Sequence, residues 1–180
     1  YAVKLLAVGN RTEEGLELRV APAFVSAGHP IANVKGCFNA VTIVGDSVGE
    51  VMLTGRGTGA EATGSAIVSD VVYAAKHPER NYPCFLSEKK ADKLSKEATA
   101  GHYLRFLAPD EAGSLAKVAT ALSKNGVSVE KIMQHPAEKG AEILIVSYLA
   151  TDTAVKKAEE KLKETGIELL AHYHVESLGE

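Results

Sequence analysis

The sequence predicts an α+β chain in two parts: a partial sheet with one returning helix, then a βαββαβ unit with both helices on one side of an antiparallel sheet. Three observations carry this. Apolar residues alternate over short runs near the start and again through residues 142–150, which is the period of strands. Leu115, Val118, Ala119 and Leu122, and later Val155, Ala158 and Leu162, recur at helical spacing. Glycines at 126 and 166 close those two helices just before apolar strand-like runs. The order in the second part is the ferredoxin-like split arrangement.

Ala2–Val8 and Leu16–Ala21 read as two strands joined by the polar turn NRTEEG, with Gly15 supplying the awkward dihedral of a hairpin. Lys4 and Arg19 fall among the outward positions, as on a solvated hairpin face. Residues 22–36 are loop-like. His29 there has no second histidine at metal spacing and is read as structural. Asn39–Gly45 and Glu50–Gly55 are strands about a turn at 46–49, with Val41 and Ile43 on one face. The run GRGTGAEATGSAIVSDVVYAA then passes from strand into a helix of small residues, whose expected buried stripe is Ala66, Ile67, Val71 and Ala74. Gly55, Gly57 and Gly59 remove side chains where a ligand or another backbone comes close, and the following helix points amide donors back at them. A tight packing turn and a cofactor-facing loop both fit; a P-loop or Rossmann fingerprint does not.

Residues 76–101 form the boundary. HPERNYP is turn-rich, SEKKADKLSKEA is charged, and Cys84 and Phe85 are expected to dock this linker on one domain. Tyr103–Ala108 is a strand ended by Pro109. Asp110 stands where a helix N-cap belongs, with Ser114, Lys117, Ser123 and Lys124 on the outward face and Asn125-Gly126 as the stop. Val127–Gln134 is the next strand. In residues 142–150, Ile143, Ile145, Ser147 and Leu149 face one side and Leu144, Val146 and Tyr148 the other. Thr151 or Asp152 caps the last helix, and Ile167–Val175 is the final strand. His172 and His174 share a face of it. With no cysteine, aspartate or third histidine close in sequence, they read as an ordinary strand face, and no metal site is expected.

Composition excludes several classes. Net charge is −3 with both signs interspersed, so neither a nucleic-acid nor a membrane surface is indicated. No apolar run approaches the roughly 20 residues of a membrane span, and no basic-then-apolar leader opens the chain. Two cysteines without metal spacing suit a reduced, cytoplasmic setting. The chain opens in YAVKLLAV without methionine, as a strand already under way. The expectation is that residue 1 is a cut and that a partner surface preceded it.

Residues 102–176 resemble an ACT domain, the regulatory module of many enzymes of amino-acid metabolism. The resemblance rests on PDEAGSLAKVATALSKNGVSVEKIMQ, above all Asp110, Gly113, Leu115, Asn125-Gly126 and Ile132. YAVKLLAVGNRTEEGLELRVAPAFV, HPIANVKGCFNAVTIVGDSVG and GRGTGAEATGSAIVSDVV together resemble the C-terminal part of the homoserine dehydrogenase catalytic domain. One departure is Ala62, where that family often has proline. The division implied is 1–77 for the catalytic part, 78–101 for a linker and 102–180 for the ACT domain.

The resemblance implies an oxidoreductase that interconverts L-aspartate 4-semialdehyde and L-homoserine with NAD(P)H, in threonine and methionine biosynthesis. It puts Gly57, Thr58 and Gly59 beside the cofactor. The family's Rossmann domain, catalytic lysine and substrate carboxylates lie upstream of the motif matching Tyr1, and Lys4 and Lys35 do not match that lysine. So no catalytic residue is assigned, no cofactor is expected on these residues alone, and the piece is expected to be inactive by itself. The ACT domain implies allosteric control by an amino acid, commonly threonine, with a homodimer or higher homo-oligomer. Asp110, Ala112, Gly113, Val127, Ser128, Val129 and Glu130 form the expected effector site, since Gly113 in a first helical turn costs about 1 kcal/mol against alanine and a ligand or neighbouring chain would use the space. Gly113 packing the helix close to its sheet, with Asp110 only a cap, is the competing account. A stand-alone regulatory module without catalysis is the rival for the whole chain, and a nucleotide-binding enzyme built on GRGTG is a weaker one.

Overall fold

The computed structural model of the chain describes residues 1–78 and 93–177. In chain order the elements are β1 (Ala2–Thr12), β2 (Gly15–Val25), a 3-10 turn (Pro30–Asn33), β3 (Phe38–Gly45), β4 (Gly49–Arg56) and α1 (Ala60–Lys76). After the boundary come β5 (Thr99–Ala108), α2 (Ser114–Lys124), β6 (Val129–Ala137), β7 (Gly140–Ser147), β8 (Ala150–Thr151), α3 (Asp152–Lys163) and β9 (Glu168–Glu176). They fall into two compact units. One holds residues 1–27 with the described residues from 93 onward; the other holds the described residues from 28 onward up to 78.

The first unit is built on a sheet in the order β1-β2-β9-β5-β7-β6, with β8 pairing β5. Each neighbouring pair in β9-β5-β7-β6 is antiparallel and, with α2 and α3, these strands make the expected βαββαβ unit. The N-terminal hairpin extends that sheet, because β2 runs parallel to β9 from Ala23 to Val25. Compactness therefore does not follow the expected division at residue 77. The hairpin is longer than its apolar alternation suggested, pairing from Ala2↔Val25 to Thr12↔Gly15 around a tight Glu13-Glu14 turn. Gly15 has φ 136°, and a side chain there would run into the Lys93 carbonyl. Arg19 is not on a solvated face: it donates to the Thr99 carbonyl (3.1 Å) and pairs with Glu176.

The core lies between sheet and helices. Leu104, Phe106, Ile143 and Ile145 from the strands meet Val118, Leu122, Val155, Ala158 and Leu162 from the helices. Side chains of this size contribute about 1.5–3 kcal/mol each when fully withdrawn from water. α3 follows its sequence pattern, with Val155, Ala158 and Leu162 buried and Thr151 Oγ1 accepting from the Ala154 N–H (3.2 Å) as N-cap. Gly126 (φ 78°) and Gly166 (φ 78°) sit just past the two helices, as expected of left-handed stops.

The start of α2 differs. The helix begins at Ser114 with Gly113 as N-cap, so Asp110 is not the cap. Pro109 to Ala112 instead make a turn in which the Glu111 N–H donates to the Pro109 carbonyl (2.9 Å). Ser114, expected to face outward, is buried and donates its hydroxyl to that same carbonyl (2.7 Å), while Leu115 is exposed. A polar side chain won the inward position because a local acceptor satisfied it. β5 also starts at Thr99, so the strand takes in residues assigned to the linker. The expected docking by Cys84 and Phe85 lies outside the described residues.

In the second unit β3 and β4 pair antiparallel from Phe38↔Arg56 to Gly45↔Gly49. The expected stripe of α1 is not buried within this unit: Ala66, Ile67, Val71 and Ala74 are all exposed, Ile67 at 58% and Val71 at 63%. Val41, Ile43 and Leu53 of the hairpin are exposed as well. A two-stranded ribbon and one helix cannot supply the second layer that an apolar face needs. No helix among the described residues is long and apolar enough to cross a membrane.

Candidate functional site

The glycine loop joins β4 to α1. The Gly57 N–H donates to the Cys37 carbonyl (2.8 Å), and a Cβ on Gly57 would collide with the Asn39 side chain. Gly57 is thus a close approach, and what approaches is a protein side chain. Gly59 differs: it has φ 117°, open space where a Cβ would go, and no side-chain cap at the helix it starts. Thr58 is exposed between them. The first-turn amides of α1 have no side-chain acceptor at the N-cap, the usual condition for meeting a polar or anionic group.

The turn before α2 holds Asp110, Ala112 and Gly113, all exposed. Gly113 has φ 98° and open space around its missing Cβ. It is required by backbone conformation and not by close packing of the helix on the sheet. Glu111 reaches Lys117 Nζ at 2.9 Å beside this turn. Of the other expected effector residues, Val127 is core: its side chain is buried and its N–H bonds the Leu122 carbonyl (3.0 Å). Val129 packs partly against the same core. Ser128 is exposed, its carbonyl accepting from the Tyr148 N–H (3.0 Å), and Glu130 pairs with Lys131 (2.9 Å). The available polar surface of this group is the turn, Ser128 and Glu130.

A third constellation was not legible in the sequence. His102 on β5, Asp152 at the first position of α3, and His172 and His174 on β9 bring one ligand atom each within 4.8 Å of one another. Register explains it, because His102 lies opposite His174 on adjacent antiparallel strands. His102 is fully buried, and its Nε2–H donates to the Ala150 carbonyl (3.0 Å), leaving Nδ1 as an acceptor. His172 Nε2 stands 2.8 Å from that Nδ1. His174 Nε2 donates to Asp152 Oδ1 at 2.8 Å, while its Nδ1 is buried without a hydrogen-bond partner among the described residues. Burial, and then the neighbouring His102, push His172 down to about 4. Burial also lowers His102. Burial would raise Asp152, but the hydrogen bond from His174 and the nearby imidazoles hold it below its ordinary value. The alternation of His172 and His174 was visible in sequence; the partners 70 and 20-odd residues away were not.

Known proteins resemble the chain along both parts. The homoserine dehydrogenase family model matches residues 1–72, and the ACT domain model matches residues 102–166. A homoserine dehydrogenase of Pseudomonas aeruginosa is 42% identical over 166 residues, covering 87% of this chain and 38% of that protein. One from Bacillus subtilis is 31% identical over 188 residues, covering 99% of this chain and 43% of that protein. The crystal structure of a homoserine dehydrogenase from Thiobacillus denitrificans superposes with a TM-score of 0.84 at 27% identity, over 98% of this chain and 43% of that one. The chain thus spans about two fifths of the length of the curated relatives it matches.

Proposed function

The chain belongs to the homoserine dehydrogenase family, as the C-terminal part of the catalytic region joined to an ACT domain, and we propose that it serves an NAD(P)-dependent enzyme interconverting L-homoserine and L-aspartate 4-semialdehyde. The observation that carries this is the order of the two family spans, residues 1–72 then 102–166, on one chain. They also support 1–77, 78–101 and 102–180 as the functional division, although the N-terminal hairpin packs with the later residues.

In this reading Gly57, Thr58 and Gly59 would border the nicotinamide cofactor, which when bound would supply the hydride chemistry. The fit is partial. Gly59 leaves open space before the uncapped first turn of α1, which suits one polar edge of a cofactor, whereas Gly57 is already taken up by Asn39. With no catalytic group assigned, the chain alone is inactive and does not retain the cofactor. The exposed apolar faces of α1 and the β3–β4 hairpin suit burial against further parts of such an enzyme.

The ACT domain binds an amino-acid effector, threonine in this proposal, at the turn Asp110–Gly113 with Ser128 and Glu130, in a cytoplasmic homo-oligomer. Exposed Ile132 and Met133 on the sheet support pairing of two copies. Calorimetric titration of the chain with threonine, beside an assay of homoserine-dependent NAD(P)+ reduction, tests the reading. Saturable heat without turnover is the expected result. Absence of heat at millimolar threonine overturns the effector assignment, and turnover by this chain overturns the assignment of its inactivity.

A further inference from the structure

We propose that His102, Asp152, His172 and His174 form a binding site for a divalent transition metal, Zn2+ being the occupant their chemistry suits best. The site is distinct from the glycine loop and from the turn before α2, and does not depend on the effector reading.

Three imidazoles and a carboxylate are the donor set that borderline cations such as Zn2+ take, and four ligands complete a tetrahedral, structural site. With metal–ligand bonds of about 2.0–2.1 Å, tetrahedral ligand atoms lie about 3.3 Å apart. Three of the six separations here are 2.8 Å (His102 Nδ1 to His172 Nε2), 2.8 Å (His174 Nε2 to Asp152 Oδ1) and 3.9 Å (His102 Nδ1 to Asp152 Oδ1), and all six lie within 4.8 Å. An ion at the centre would push the two hydrogen-bonded pairs apart and draw the wider pairs in.

The supporting contacts are those of a metal ligand. His102 donates its far N–H to the Ala150 carbonyl, which fixes both ring orientation and the inward lone pair. The ring packs within 5.0 Å of His172 and 5.4 Å of His174, centroid to centroid, so the three imidazoles hold one another in place. His174 Nδ1, buried without a partner among the described residues, carries no proton while Nε2 donates to Asp152, and would take that proton up when a metal occupies Nε2. Binding needs no net proton release from the histidines: the protons of His172 and His174 move to their other ring nitrogens as the metal takes Nε2. Asp152, His172 and His174 also line an open cavity of about 390 Å³, shared with Lys156 and Glu159, which gives an ion its way in. A metal here would tie β5, β9 and the start of α3 together.

The test uses the 180-residue chain, stripped with a chelator and titrated with Zn2+ by calorimetry and with Co2+ by visible spectroscopy. The expected result is one equivalent per chain, a tetrahedral Co2+ spectrum displaced by Zn2+, and a higher melting temperature with metal. Asp152→Asn and His172→Gln keep side-chain volume and each weaken binding by at least about tenfold. His174→Ala abolishes the tetrahedral spectrum, with circular dichroism reporting whether it folds. No binding of either ion, an octahedral Co2+ spectrum, or equal affinity in the folded Asn and Gln variants overturns the site.

Discussion

His29 holds two segments with its two ring nitrogens: Nδ1 accepts from the Ile31 N–H at 3.2 Å, and Nε2–H donates to Glu50 Oε1 at 2.7 Å. The first bond caps the Pro30–Asn33 turn, and the second fastens that turn to β4. The tautomer follows from the geometry, since a backbone N–H can only donate.

Replacing His29 by alanine removes the cap and strips a partner from a carboxylate whose other oxygen is already buried and unpaired among the described residues. We expect a loss of about 1–2 kcal/mol in the stability of the 28–78 unit. Urea denaturation followed by a probe in that unit measures it. His29→Gln recovers less than half, because one amide cannot reproduce both directions of the ring.

Two glycines near proposed binding loops separate conformation from packing. Gly113→Ala is expected to cost about 1 kcal/mol through its φ of 98°, and Gly113→Asn less, since asparagine tolerates that region better. Gly57→Ala is expected to cost about 1–3 kcal/mol through collision with Asn39. In an Asn39→Ala background most of the second cost disappears, while the first is unchanged; thermal melts of the single and double variants read both.

Burial sorts the helices. Leu122→Ala, in the core under α2, is expected to lose about 2–5 kcal/mol. Ile67→Ser, on the exposed stripe of α1, should stay within about 0.5 kcal/mol of the parent chain. A large loss for Ile67→Ser in chemical denaturation would mean that the stripe is covered within this chain.

Arg105 grips Glu142 with two nitrogens across β5 and β7, and the hydrogen bond from Arg105 holds the Glu142 carboxyl below its ordinary value. A carboxylate depressed on folding adds stability that is present above its unfolded value near 4.5 and is lost as pH falls through the lower folded value. Glu142→Gln should therefore melt below the parent at pH 6, with the gap closing toward pH 3. A gap that is constant across this range would assign the pair no pH-linked role.

The sequence by itself determined the βαββαβ unit, because its signals are local. Val155, Ala158 and Leu162 repeat at the helical period, Ile143 and Ile145 alternate, and Gly126 and Gly166 stop helices whatever surrounds them. It did not determine where α2 starts, because Ser114 turned inward on an acceptor, the Pro109 carbonyl, that only the folded turn presents. Nor did it reveal that α1 keeps its apolar stripe exposed, since a stripe records a capacity for burial and not the layer that covers it. Only tertiary structure decided that β1 and β2 extend the sheet of later strands, and that His102 stands across from His174. Strand register is fixed by pairing between distant segments, so a site assembled through register leaves no spacing in the sequence to read.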